Sequence, residues 1–192
     1  MSQFFFNQRA SLVNDVIEGT IIASPWNNLA RLESDPAIRV VVRRDLNKNN
    51  VAVIAGGNKA YIAHVGDSRA YLLRDGTLSQ VTTDHTVVHM LLENGQITED
   101  EIETHPQRHM LMKAVGVERT VCPDYFRIDL QPDQPFCLLL CSDGLCGFCS
   151  DAEIQEILER GTSAEEMTQQ LVDAALEKGG RDNISVAVVT AS

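Results

Sequence analysis

At 192 residues the chain is long enough for one domain with a substantial core. Its 44% hydrophobic and 22% charged content is that of an ordinary globular protein, and its net charge of −11 excludes the basic face that nucleic-acid binding needs. An acidic surface suits cations or basic protein segments instead. The charge is uneven: residues 1–50 carry 6 basic and 5 acidic groups, whereas residues 51–192 carry 10 and 22, so the front differs in composition from the rest.

The five cysteines, Cys122, Cys137, Cys141, Cys146 and Cys149, are odd in number. Met1 to Phe6 is apolar but too short for a signal h-region and lacks a basic n-region. No run of about 18 apolar residues offers a membrane span. The expectation is a cytoplasmic chain with reduced thiols and no membrane partner.

In chain order, residues 3–32 carry apolar positions at helical spacing (Phe6, Ala10, Val13, Ile17, then Leu29 and Leu32), interrupted by Pro25. Residues 38–43 and 51–55 are β-rich runs joined by a polar turn and read as a hairpin. Gly56-Gly57-Asn58 is a further turn. Residues 60–65 and 70–73 are strands on either side of a Gly66-Asp67-Ser68 corner, and Asp75-Gly76 turns the chain into residues 78–81. Val87, Val88, Leu91 and Leu92 then make a helical stripe that stops before Gly95. Thr98 and Glu101 read as a capping box that opens a short acidic helix, ended by His105-Pro106. Residues 110–115 suit a helix or a strand. Residues 125–130 alternate, and residues 136–141 form a buried strand. Ser150 with Glu153, and Ser163 with Glu166, cap two more helices, and residues 184–190 are the last strand. With no repeat or linker, residues 1–192 read as a single α+β domain.

Three aspartates stand at strand boundaries beside small residues: Asp67 after Val65-Gly66, Asp143 after Cys141-Ser142, and Asp182 before Asn183-Ile184. Taken singly, each is a turn former. Together, three strand ends bearing carboxylates can converge on a hard cation, because oxygen ligands suit Mg²⁺ and Mn²⁺.

The neighbours of these aspartates sharpen that reading. His64-Val65-Gly66-Asp67-Ser68-Arg69-Ala70-Tyr71, Thr83-Asp84-His85, Cys141-Ser142-Asp143-Gly144-Leu145 and Asp182-Asn183-Ile184-Ser185 occur in this order. The set resembles the PP2C (PPM) family of metal-dependent protein serine/threonine phosphatases, bacterial type, over roughly residues 58–190. The resemblance implies an α-β-β-α sandwich of two antiparallel sheets flanked by helices, with residues 82–116 as a flap. It implies Mn²⁺ or Mg²⁺ as cofactor and a metal-held water that attacks phosphoserine or phosphothreonine. Asp143 and Asp182 would bind a first metal, Asp67 and Asp143 a third, looser one, with Gly144 and Asn183 as backbone or supporting contacts.

The front departs from the family. An Asn-Glu-Asp segment and an Asp-Gly-x-Gly-Gly strand end, which supplies the bridging carboxylate, do not occur within residues 1–57. Residues 11–55 resemble instead the later family segment, a helix followed by the hairpin into the Asp67 strand. An alternative function follows: a catalytically impaired relative that binds a phosphoprotein or a kinase. Strands missing from the front would also leave a sheet edge for Phe4-Phe5-Phe6, a homodimer or a partner chain to cover.

Other residues carry weaker signals. Arg69 and Arg108 are phosphate candidates, since a guanidinium fork matches phosphate oxygens; Arg69 also suits a role bracing the Asp67 turn. His85 with His89, and His105 with His109, have zinc-compatible spacing, but no cysteine spacing completes a tetrahedral set. Cys146 and Cys149 match a redox pair without its usual surroundings and read as buried small hydrophobes. The partners implied are a phosphorylated protein substrate or a serine/threonine kinase.

Overall fold

A computed structural model describes residues 3–9, 38–43, 50–56, 58–116, 120–131 and 134–191. The strands are β1 (Gln3–Arg9), β2 (Ile38–Arg43), β3 (Asn50–Gly56), β4 (Lys59–Val65), β5 (Arg69–Arg74), β6 (Thr77–Gln80), β7 (Asp124–Asp129), β8 (Phe136–Cys141) and β9 (Ile184–Ala191). The helices are α1 (Val87–Glu93), α2 (Glu99–Ile102), α3 (Asp143–Cys146), α4 (Asp151–Arg160) and α5 (Ala164–Glu177). The strands form two sheets, one in the order β1-β9-β8-β5-β6 and one in the order β2-β3-β4-β7, and every pairing is antiparallel.

The central strands of the five-stranded sheet are apolar on both faces because both faces are covered. Tyr71, Leu73, Cys137, Leu139, Cys141, Val186 and Val188 point one way, into a core with α3, α4 and α5 that includes Ile154, Leu158, Leu171 and Val172. Their sequence neighbours Ala70, Leu72, Leu138, Leu140, Ala187 and Val189 point the other way and meet Val51, Val53, Ala60, Ile62 and Ile128 of the second sheet. The strand period of 2 thus sorts one continuous apolar run into two cores. Each fully buried leucine contributes about 1.5–3 kcal/mol.

Local signals set the helix starts. The Ser150 hydroxyl accepts the Glu153 N–H while the Glu153 carboxylate accepts the Ser150 N–H at 2.8 Å, a complete capping box. At Thr98 the Glu101 carboxylate likewise accepts the backbone N–H at 2.8 Å. At α5 the box is offset. Ser163 accepts from the Glu166 N–H, but the Glu166 carboxylate takes the N–H and hydroxyl of Thr162. Gly95, with φ of +65°, ends the α1 segment.

Two local expectations are corrected. Residues 3–9 are a strand rather than the start of a helical pattern, paired along β9 from Gln3↔Thr190 to Arg9↔Ile184. Three successive phenylalanines favour an extended, half-covered surface, and the open edge of β9 supplies the partner. Residues 110–115 form neither helix nor strand. A single bridge, Thr86↔Leu111, holds them, with the Met112 N–H on the His85 carbonyl at 2.8 Å. The rest of the helical pattern, at Val13, Ile17, Leu29 and Leu32, and the turn over 44–49 lie outside the described residues. The hairpin itself is present as β2 and β3.

Candidate metal centre

The topology brings the three aspartates to one end of the five-stranded sheet. Asp67 lies in the corner between β4 and β5, Asp143 opens α3 directly after β8, and Asp182 precedes β9. Arg69 pairs with Cys141, and Cys141 with Val186, so the start of β5, the end of β8 and the start of β9 are level. All three aspartates are half-buried.

The junction of β8 and β9 is tightly tied. The Ser142 N–H donates to the Ser185 carbonyl at 2.9 Å, the Ser142 hydroxyl donates to the Asn183 carbonyl at 2.9 Å, and the Ser185 N–H donates to the Ser142 oxygen at 3.0 Å. Asp182 turns inward on its own loop, where its Oδ1 accepts the Asn183 N–H at 2.7 Å. Gly144 is buried with its Cα against the Asn183 carbonyl, and a Cβ there would collide with that backbone. Glycine at this position lets α3 sit on the β9 loop, which keeps Asp143 beside Asp182.

A second set of contacts holds Asp67. Gly66 has φ of +105°, a conformation that favours glycine. Its N–H donates to His85 Nδ1 at 3.0 Å, and its carbonyl accepts the His85 N–H at 2.8 Å. Because Nδ1 accepts, the ring proton sits on Nε2, which donates to Asp124 Oδ2 at 3.0 Å. Lys113 donates to the other Asp124 oxygen at 2.8 Å, and this bond, followed by that of His85, holds the Asp124 carboxyl below its ordinary value. His64 is fully buried with its ring 4.8 Å from that of His85. Burial first, then the neighbouring His85, lowers its pKa to about 4. The sequence singled out His85 as part of a motif and, with His89, for its spacing. Its role as a clamp on the Asp67 turn, and those of His64, Asp124 and Lys113, were missed, because nothing in their spacing marks a contact between β4, β7 and the segment before α1.

Arg69 is occupied as a brace. Its guanidinium forks onto Asp84 at 2.8–3.0 Å and donates to the Tyr71 hydroxyl at 3.0 Å, which in turn donates to Asp151 at 3.1 Å. Arg108 is exposed and donates to His109 and to the Glu103 carbonyl. The zinc spacings do not assemble: His85 serves Gly66 and Asp124, while His89 faces Glu93 at 3.4 Å. The cysteines are free thiols, with Cys137, Cys141 and Cys149 in the core and burial raising the Cys137 pKa to about 12.

The donor set fits Mg²⁺ or Mn²⁺ in kind, being carboxylate and carbonyl oxygen. In placement it is partial. Among the described residues no three His, Cys, Asp or Glu side chains close around a common point suited to an ion. Like charges stand apart unless a cation lies between them.

Comparison with known proteins agrees with this geometry. The model of the family Protein phosphatase 2C matches residues 42–91. The serine/threonine phosphatase stp of Listeria welshimeri is 41% identical over 139 residues, which are 72% of this chain and 54% of the relative. The solved catalytic domain of the serine/threonine protein phosphatase PstP, in complex with two manganese ions, superposes with a TM-score of 0.67 at 34% identity, over 85% of this chain and 65% of that one. The chain therefore belongs to the protein phosphatase 2C family. Within it, the chain stands with the bacterial serine/threonine phosphatases, spanning about half the length of the Listeria relative. A different match is short and close: dihydroxyacetone kinase of Citrobacter freundii is 81% identical over 67 residues, 34% of this chain and 12% of that protein.

Proposed function

We propose that the chain acts as a metal-dependent phosphatase on phosphoserine or phosphothreonine in proteins. The observation that carries this reading is the level placement of Asp67, Asp143 and Asp182 at one sheet end, in the family's motif order. Asp143 and Asp182 would hold one Mn²⁺ or Mg²⁺, and Asp67 with Asp143 would contribute to another. When bound, such ions supply an acidic water and offset charge on the phosphoryl oxygens. The chain's own residues position that chemistry. Gly144 admits the close approach of α3 to Asn183, and the His85 clamp orients the Asp67 turn. Arg108, exposed on the segment 82–116, would meet a phosphate, whereas Arg69 is committed to Asp84. The Listeria relative and the solved PstP domain are both phosphatases, which favours turnover over a binding-only relative. The substrate would be a phosphoprotein, with a serine/threonine kinase as its source, in the cytoplasm. Among the described residues no helix is long and apolar enough to cross a membrane.

The test is phosphate release from a phosphothreonine peptide. Release should need Mn²⁺ or Mg²⁺, stop with a chelator, and fall in Asp143→Asn by more than the roughly 100-fold that loss of a supporting contact costs. Hydrolysis that is indifferent to chelator or to Asp143→Asn would overturn the reading.

A further inference from the structure

Spacing in the sequence pairs Cys146 with Cys149, but the fold favours another partner. Alternation along β8 turns Cys141 toward the helices, where it is fully buried in the core with α3. Cys146, the last residue of α3, packs against that same core and keeps part of its surface exposed. Its thiol reaches back and donates to the Ser142 carbonyl at 3.7 Å, so its sulfur stands beside the residue that follows Cys141. The two thiols are in hydrogen-bond contact, and that contact, ahead of burial, holds the Cys141 thiol well above its ordinary value. Cys149 is sealed in the core at 2% exposure.

The surroundings suit oxidation. Reactive cysteines stand partly exposed beside positive charge. Arg69 pairs with Cys141 across the β5–β8 ladder, which puts the two side chains on one face. Its guanidinium, held by Asp84, is close enough to Cys146 for their charges to interact.

We infer that Cys141 and Cys146 are a redox pair that closes a disulfide across the start of α3 and so weakens the metal centre. The oxidant is a hydroperoxide. The Cys146 sulfur attacks it, the O–O bond breaks, and Cys146 becomes a sulfenic acid as water or an alcohol leaves. The Cys141 sulfur then displaces the hydroxyl: the S–S bond forms, the S–O bond breaks, and the Cys141 proton departs with the hydroxyl as water. The two thiols together give up two electrons, which the peroxide takes. The closed ring encloses Ser142, Asp143, Gly144 and Leu145. Among these are the serine that ties β8 to the β9 loop and the aspartate beside Asp182. Closure takes Cys146 off the Ser142 carbonyl and draws the end of α3 against β8. Gly144, already against the Asn183 carbonyl, leaves no slack to absorb that shift, so Asp143 moves relative to Asp182. The effect on the centre rests on the phosphatase reading; the bond itself does not.

The test treats the full chain with hydrogen peroxide, blocks the remaining thiols with iodoacetamide under denaturing conditions, reduces, and labels the released thiols with N-ethylmaleimide. Mass spectrometry should find the second label on Cys141 and Cys146, in the unchanged chain and equally in Cys149→Ser. In Cys141→Ala the disulfide should be lost and dimedone should trap a sulfenic acid on Cys146. A bond between Cys146 and Cys149, or no oxidation of Cys146, would overturn the inference. Titration calorimetry should then show Mn²⁺ binding about tenfold weaker in the oxidised chain, restored by dithiothreitol and insensitive to peroxide in Cys146→Ala. Equal affinity of the oxidised and reduced chains would overturn control of the centre. If neither form takes up Mn²⁺, the phosphatase reading fails and the label positions alone decide the bond.

Discussion

Residues before and after Asn58 share two sheets but divide the work. The body, from β4 onward, provides the central strands β8 and β5, the helical layer and every candidate site residue. The front provides β1, β2 and β3, all at or next to an outer edge. A sheet tolerates replacement at its rim because an edge strand answers to one neighbour, whereas a central strand answers to two strands and two packed faces. A fold can therefore keep its core and its metal end while its perimeter varies.

The largest expected contrast lies in the core. Leu139, on β8, is fully buried against the helices, and Leu139→Ala should cost about 2–5 kcal/mol in urea unfolding. Tyr125→Ala, on the edge strand β7 where the side chain is exposed, should cost less than half as much. Equal losses would break the division between rim and centre.

Acid provides the next contrast, through His64. Its folded pKa is lowered from 6.5 to about 4, so between those values the unfolded chain binds a proton that the folded chain refuses. Stability should be full near pH 7 and fall as the pH drops through that window. By pH 5 the loss from this group should be about 2 kcal/mol, following roughly 1.4 kcal/mol per pH unit. Unfolding of His64→Leu should be flatter over the same range; an unchanged slope would remove His64 as the cause.

His85→Leu then tests whether the body holds its own metal end. Losing the ring acceptor leaves the Gly66 N–H unsatisfied, at about 1–3 kcal/mol. It should also weaken Mn²⁺ binding about tenfold by loosening the Asp67 turn, which a purely structural role elsewhere would not do. The smallest effect is expected at a helix start remote from the front. Ser150→Ala removes the cap of α4 and should cost about 1 kcal/mol in thermal unfolding without altering Mn²⁺ affinity.

Much of the body was legible because its signals are local. Strand runs, capping residues at Ser150 and Thr98, and the glycine stops at Gly76 and Gly95 each act within a few residues. The aspartates were legible as strand-end carboxylates, and their neighbours added the family. What stayed hidden was non-local. The Phe4-Phe5-Phe6 run became a strand because β9 offered an edge 180 or so positions later in the chain, which helical spacing does not report. Arg69 gave no sign that Asp84 would take its fork, nor His85 that it would clamp Gly66 from 19 residues away. Residues 110–115 are apolar in part but are held by backbone contacts to His85 and Thr86 rather than by a pattern of their own.

The doubly buried β8 has a further consequence. In a strand with one wet face, sliding by one residue drives polar groups into the core and forbids itself. Sliding β8 would merely exchange Cys137, Leu139 and Cys141 with Leu138 and Leu140 between two oily compartments. Side-chain polarity therefore gives this strand no ruler. The ruler is the polar knot at its end, where Ser142 engages Asn183 and Ser185 three times over. That serine sets how far β8 travels before it turns, and so sets where Asp143 stands opposite Asp182.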